Sequence, residues 1–362
     1  MSQTSLERRN ILSLDIGGSK ALSALVDVEI DATGVRRATA RHIARRTLSK
    51  DSGQEGVWQA LLSAVDETLT SAKLGRDDFN VIGATIPGVA DPSTGLWIYA
   101  PYSGISDFPL GRRLFEEFGV PVYADNDVNA CAWGEKVFGV CQKNDNFLWI
   151  TVSNGIGGGL VLNGRPYAGK FSGAAEIGHF NVVDNGALCG CGNRGCLEAT
   201  AAGPAIARSY RETVAAAANG SATVSLELTQ AWINYLGKVY GKTNLDDLNL
   251  ELEVESAQSA NAATIASEAR RGNPLALEIF RMVGFHLGRA SSWAANLVNP
   301  EKIVIGGGVA GAYDLFYPTL ESTLQERLFH PVNKSLVVEK TGLGYEAGLL
   351  GAAALAFANP YV

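Results

Sequence analysis

Apolar residues run almost unbroken from Ile11 to Val26 and are interrupted only around Gly17 and Gly18, which predicts two buried strands joined by a glycine turn. One acid, Asp15, stands at the tip of the first strand. The same pattern returns over 147–162, where LeuTrpIleThrValSerAsnGlyIleGlyGlyGlyLeuValLeu reads as strand, glycine turn, strand, with Ser153 in the place of Asp15. The chain therefore looks like two related halves. In the first, Arg36, Arg37, Arg41, Arg45 and Arg46 lie on what reads as the wet side of a third strand. Val57, Leu61, Val65 and Leu69 recur every fourth position and predict an amphipathic helix over 53–74. A buried strand follows over 81–87, then a short helix within 107–118, a strand over 120–127 and a helix over 129–138.

The second half carries an alanine-rich helical stretch up to about residue 219, and the least legible part of the chain, 220–262, whose acidic alternating segment 246–256 reads as exposed. Asn273 followed by Pro274 is a good helix start, and the helix carries Phe280, Val283, Leu287, Ala290 and Ala294 on one face before stopping at Asn299 and Pro300. A buried strand over 303–309 opens through glycines into a helix containing Leu315, Leu320 and Leu324. The last helix is expected over 346–358.

A chain of 362 residues that is 46% hydrophobic is long enough for two cores, so two domains are expected. Its net charge of -7 argues against life on nucleic acid or an anionic membrane surface. Small molecules and other copies of the chain are the expected partners. No apolar run approaches the roughly 20 residues that cross a bilayer, and the first residues lack an apolar signal core, so a cytoplasmic protein is expected. Of the five cysteines, Cys131 and Cys141 read as core residues.

The remaining three lie within 176–198, where His179, Cys189, Cys191 and Cys196 form the donor set of a closed tetrahedral structural zinc site, flanked by Glu176 and Glu198. Thiols packed as small hydrophobes and a disulfide are the other readings. Three cysteines cannot all pair with one another, and zinc is favoured. Asp15 beside its glycine turn can hold a hydrated Mg2+ and phosphate oxygens, with Ser19 adding a hydroxyl and Lys20 a positive charge. A hairpin with a solvated acid would look the same. Gly155, Gly157, Gly158 and Gly159 permit backbone to approach an anion. Asn126 and Asp127 lie beyond the carboxyl end of a strand, where ligands of open α/β sheets bind. The turn at Gly306, Gly307 and Gly308 can let a flat adenine lie against bare backbone.

Taken together, AspIleGlyGlySerLys at 15–20, AsnAspValAsnAlaCysAlaTrpGlyGlu at 126–135, AsnGlyIleGlyGlyGly at 154–159, GluIleGlyHis at 176–179, CysGlyCysGlyAsnArgGlyCysLeuGlu at 189–198 and IleValIleGlyGlyGly at 303–308 resemble the ROK family of bacterial repressors, open reading frames and sugar kinases. The resemblance runs from about Ile11 to Ala358. It implies an α/β, actin-like (ribonuclease H-like) duplicated fold of two domains with a cleft between them. The smaller would be 1–125, joined by the C-terminal helix 346–362, and the larger 126–345. It implies an ATP-dependent carbohydrate kinase acting on a primary hydroxyl of a hexose or hexosamine, O6, as a cytoplasmic homodimer.

The implied roles follow position by position. Asp127 matches the catalytic base, Asn126 its sugar-binding neighbour, and Gly88 the turn beside the sugar. Glu176, His179 and Glu198 match groups that meet sugar hydroxyls, with His179 also on zinc beside Cys189, Cys191 and Cys196. Asp15, Gly17, Gly18, Ser19 and Lys20 would face ATP phosphates and Mg2+, together with Asn154, Gly155 and Gly157. Gly306, Gly307 and Gly308 would face adenosine.

Two departures bear on the substrate. Asn154 stands where family kinases commonly have threonine, and its amide can still donate a hydrogen bond. Tyr102 stands where the family often has a sugar-contacting asparagine, so an amino sugar, a glycoside or a cyclitol joins the candidates. A family repressor would need a helix-turn-helix ahead of the first strand, and only ten residues precede Ile11. A binding protein without catalysis and a thiol redox protein are the other rivals, the first opposed by Asp15 and Asp127, the second by the nearby histidine and third cysteine.

Overall fold

The computed structural model describes residues 11–49, 51–100, 104–218, 255, 257–329, 333 and 335–361. Tyr102 and nearly all of 220–262 lie outside them. The first half consists of β1 (Ile11–Ile16), β2 (Lys20–Ile30), β3 (Arg36–Thr47), α1 (Gly53–Ala72), β4 (Val81–Ile86), β5 (Val89–Asp91), β6 (Leu96–Ala100), β7 (Ile105–Phe108), α2 (Leu110–Phe118), β8 (Val122–Asn126) and α3 (Asp127–Val137). The second contains β9 (Phe147–Val152), β10 (Ile156–Leu162), β11 (Arg165–Pro166), a 3-10 turn (Ile177–His179), α4 (Leu197–Ala201), α5 (Gly203–Ala218), α6 (Ala262–Arg270), α7 (Pro274–Val298), β12 (Lys302–Gly306), α8 (Tyr313–Arg327), β13 (Val337–Lys340) and α9 (Ala347–Phe357).

The repeat read from the glycine hairpins extends to whole sheets. One sheet has the order β3-β2-β1-β4-β8 and the other β11-β10-β9-β12-β13. In each, the first three strands of the half pair antiparallel and the last two add on in parallel. This is the duplicated actin-like α/β arrangement.

Period-two alternation sorts the side chains of each sheet onto two faces. Leu12, Leu14 and Ile16 pack with Leu61, Val65 and Leu69 of α1, whereas Ile11 faces the other way. Leu148, Ile150 and Val152 meet Phe280, Val283 and Leu287 of α7, whereas Phe147 and Trp149 face the other way. Those opposite faces share a third core between the sheets, built on Ala130, Trp133 and Val137 of α3 and Leu350, Ala353 and Ala354 of α9. Helix α9 is last in sequence yet belongs to the first sheet: Ser13 Oγ donates to Leu349 O at 2.5 Å.

The seat of α9 requires a glycine at 83 in β4, because a Cβ there would lie 1.8 Å from Ala352 O. Gly83→Ala is expected to destabilise the protein by about 3 kcal/mol through overpacking. The change should appear as a lower urea midpoint at unchanged slope. An unchanged midpoint would mean that α9 does not sit on β4 in solution.

The short helix expected within 107–118 is α2, which starts at Leu110 because Ile105–Phe108 pairs with β6 in a three-stranded sheet with β5 and buries Phe108 beside Trp97. Two elements differ from the sequence reading. Helix α3 begins at Asp127 rather than at residue 129, because Asn126 caps it. Strand β12 ends at Gly306 and a 3-10 turn over Gly308–Ala312 precedes α8. Cys131 and Cys141 are buried as expected, and Arg36, Arg37, Arg41 and Arg45 are exposed.

Candidate active site

The N-terminus of α3 is built by its cap. Asn126 Oδ1 accepts the backbone N–H groups of Val128 at 2.9 Å and Asn129 at 3.1 Å, which satisfies donors a helix start leaves open. Its amide nitrogen donates to Gly88 O at 2.6 Å and to Asp127 Oδ1 at 3.1 Å. The cap thus ties the turn after β4 to the first carboxylate of α3. Asp125, the last buried residue of β8, accepts Asn126 N–H at 2.6 Å and a hydrogen bond from the Tyr361 hydroxyl.

Asp127 keeps some accessible surface but lies deep in the protein, and burial with the nearby Asp15 charge pushes its carboxyl up to about 7. Asp125 is pushed up to about 6, also by burial, against the hydrogen bonds from Tyr361, Asn126 and Asn129. Burial raises Asp15 as well, opposed by Thr85 and Lys20. Thr85 Oγ1 donates to Asp15 Oδ1 at 2.9 Å while accepting Ile16 N–H at 3.0 Å, so the acid is held in one orientation. Gly348, in the first turn of α9, lies against the Asp15 carboxyl, whose nearest oxygen would be 2.5 Å from a Cβ there. The donor set fits a hard divalent cation: a desolvated carboxylate, Asp127, near the charge of a second, Asp15, which Lys20 partly offsets.

The two glycine hairpins flank this pair differently. At the first, Gly17 N–H is used internally on Lys20 O at 2.8 Å, Gly18 and Ser19 are exposed at the tip, and Lys20 Nζ sits 5.0 Å over the Tyr345 ring. At the second, Ser153 N–H donates to Gly155 O at 2.8 Å, Asn154 is exposed at the tip, and a Cβ at Gly157 would lie 3.0 Å from Val128 Cγ2. Residue 308 faces this hairpin, since a Cβ there would lie 3.6 Å from Ser153 Oγ. Gly306 and Gly307 are demanded by packing, on the Trp149 ring and on Val152 O respectively.

His179, Cys189, Cys191 and Cys196 place one ligand atom each within 4.8 Å of one another. Cys191 Sγ is 3.7 Å from Cys196 Sγ, and Cys189 Sγ is 3.7 Å from His179 Nδ1. A tetrahedron with zinc–sulfur bonds of about 2.3 Å has edges of about 3.8 Å. The cluster therefore fits that geometry. His179 Nε2 points instead at Glu176 Oε2, 3.8 Å away, and Ala175 before it adopts a φ of +63°. Glu198 Oε2 accepts Ile156 N–H at 3.0 Å.

Chemistry-bearing residues from both halves thus converge on the start of α3. The family model for the ROK family matches residues 11–359. The chain belongs to the ROK family. Among its relatives, a glucokinase of Halalkalibacterium halodurans is 31% identical over 90% of this chain and 92% of that protein. The DNA-binding transcriptional dual regulator NagC of Escherichia coli is 30% identical over 94% of this chain and 78% of its own length. A ROK family glucokinase from Streptomyces griseus, solved with glucose and AMPPNP, superposes with a TM-score of 0.71 at 28% identity, covering 96% of this chain and 99% of that one. Within the family, the kinase relatives and the shared fold make this chain a carbohydrate kinase. No helix among the described residues is long and apolar enough to cross a membrane.

Thr85, Glu135 and Tyr361 were not singled out by sequence reasoning. Thr85 had a signal, a lone hydroxyl inside an otherwise apolar strand. Glu135 is fully buried and accepts Val140 N–H at 2.9 Å and Gly342 N–H at 3.1 Å, locking the end of α3 to the connection that leads into α9.

Proposed function

We propose that this ROK carbohydrate kinase transfers the γ-phosphate of ATP to O6 of a hexose or hexosamine, with Asp127 as general base. The observation that carries the reading is the Asp127 carboxyl, held at the start of α3 by Asn126 and Val128 and raised to about 7 beside Asp15. A base poised near the operating pH is ionised often enough to accept a proton and basic enough to take one. As the hydroxyl oxygen bonds to the γ-phosphorus and the bond to ADP breaks, the hydroxyl proton passes to Asp127. Asp15 would hold Mg2+, which neutralises phosphate charge, and the backbone around Gly17, Gly18, Ser19, Asn154, Gly155 and Gly157 would line the phosphates. Lys20 would add its charge after leaving the Tyr345 ring, and Gly306, Gly307 and Gly308 would border adenosine. Gly88, Asn126, Glu176, His179 and Glu198 would position the sugar.

His179, Cys189, Cys191 and Cys196 would hold zinc with no open coordination position, which makes that ion structural. In the same reading the domains are 1–125 with the C-terminal segment 346–362 that carries α9, and 126–345, and the enzyme is a cytoplasmic homodimer.

The test is ADP release with Mg-ATP over glucose, mannose, fructose, allose, glucosamine, N-acetylglucosamine, N-acetylmannosamine, kanosamine, a β-glucoside and a cyclitol. A sugar-dependent signal is expected. The near-equal identity to a glucokinase and to a transcriptional regulator favours one second reading, a sugar-binding regulator. Sugar binding without ADP release across the panel would select it. A dominant signal from the amino sugar, glycoside or cyclitol would point to the unusual substrates that Tyr102 and Asn154 allow.

The pH profile offers a further check. Asp127 must be ionised to act, so kcat/KM is expected to fall as pH drops through about 7. A midpoint near the ordinary carboxylate value, about 4, would show that Asp127 is not raised in the working enzyme, and an unchanged profile in Asp127→Asn would remove it from the base role.

A further inference from the structure

The two segments that supply the thiol and imidazole ligands press on the same residue of the second glycine hairpin. Cys196 leads directly into α4, whose first turn carries Glu198, and Glu198 Oε2 accepts Ile156 N–H at 3.0 Å while Oε1 lies 3.8 Å from Cys189 Sγ. Gly178, next to His179, backs onto the other side of that residue, where a Cβ would come within 1.9 Å of Ile156 O. Gly203, at the start of α5, donates to Ser153 O at 2.8 Å. The hairpin tip, Asn154 and Gly155, is therefore bracketed at both ends. The carboxylate is packed directly under it, since a Cβ on Gly155 would lie 2.5 Å from Glu198 Oε2.

We infer that Glu198 is a positioning residue for this hairpin, through which the Cys3His cluster sets the conformation of the loop that meets the nucleotide phosphates. The inference rests on the ATP reading given above and assigns Glu198 a task beyond the sugar contact implied by the resemblance. The physical reason is entropic. A tip followed by Gly157, Gly158 and Gly159 has little conformational preference of its own, and a nucleotide that had to order it would bind more weakly. With Ile156 held on both its N–H and C=O sides, the loop is ordered before the ligand arrives.

The test uses the full-length, zinc-loaded protein without sugar, and reads hydrogen exchange over 152–158, Mg-ADP affinity by calorimetry, and zinc content. Glu198→Ala is expected to keep its zinc, to exchange faster across the hairpin, and to lose about tenfold in Mg-ADP affinity, the equivalent of one hydrogen bond. In Glu198→Gln the side-chain carbonyl can still accept the Ile156 N–H, and most of the affinity should return. Chelation of the wild type should reproduce the exchange pattern of Glu198→Ala. If Glu198→Ala cannot be folded, Gly155→Ala pushes on the same contact from the loop side and should weaken Mg-ADP with zinc unchanged. Wild-type exchange and wild-type Mg-ADP affinity in Glu198→Ala would overturn the inference. Faster exchange in a protein whose wild type does not bind Mg-ADP would instead overturn the ATP reading and leave only the mechanical link.

Discussion

Replacing Asp127 with asparagine is expected to lower kcat by about 10²- to 10⁴-fold, the range typical of a lost general base, with sugar affinity little changed. The substitution is close to isosteric. An asparagine Oδ1 can accept the same hydrogen bonds from Asn126 Nδ2 and Val128 N–H that Asp127 Oδ1 accepts now. What disappears is the capacity to take the hydroxyl proton. Since the loss falls in the transition state, kcat and kcat/KM should drop together. The same variant should be more stable, and the sign can be worked out. The folded carboxyl titrates near 7, above its ordinary value of 3.8, so its contribution to stability is full at low pH and is lost as pH rises through about 7. At pH 8 wild-type Asp127 opposes folding, and asparagine, which never ionises, does not. A thermal midpoint raised by about 2 °C or more is expected, the equivalent of about 1 kcal/mol in a protein of this class. A variant that turns over at more than a tenth of the wild-type rate would show that another group takes the proton.

Removing the zinc proposed for the Cys3His cluster should have an effect of similar size on activity and a larger one on structure. The apolar cluster around the thiols consists of Cys189, Cys196 and Ala199 with Ala187 against it, and thus includes two of the ligands themselves. Outside the donor set, backbone hydrogen bonds such as Cys189 N–H to Asn193 O at 2.8 Å hold a tight turn but bury almost nothing. Small sites of this kind draw their folding free energy from the ion, on the order of 10 kcal/mol. A strong chelator is therefore expected to abolish ADP release, to lower the thermal midpoint, and to open 180–198 to protease, all reversed by one equivalent of zinc. Cys196→Ser should behave as the permanently stripped protein. Retention of full activity in protein shown by metal analysis to contain no zinc would leave the cluster as packed thiols.

The sequence made the local features legible and concealed the long-range ones. Helix α7 announced itself through its Asn273 cap and Pro274 start, and both hairpins through apolar runs broken by glycine, because these signals lie within a few residues of each other. The Cys3His cluster was readable for the same reason. The sheet of β5, β6 and β7 was not, since its strands are short and the third contains Asp107, whose φ of +52° interrupts any simple alternation. Nor could the chain reveal that Glu198 meets Ile156, that Thr85 orients Asp15, or that Lys20 leans over Tyr345. Each contact joins residues whose proximity is created by the fold and leaves no periodic trace.

Helix α9 bears on how the protein is made. The inward faces of β1, β2 and β4 carry Ile11, Val26 and Val81, and these pack in a core whose α9 residues are synthesised long after those strands. At ribosomal speeds of about 5–20 residues per second, that surface waits for tens of seconds after its own strands emerge. During translation the first half is therefore expected to stay incomplete, while the strands and helices of the second half already follow one another in order. A ribosome-stalled chain ending before residue 340 should keep its first half open to protease, and one extended past residue 361 should close it.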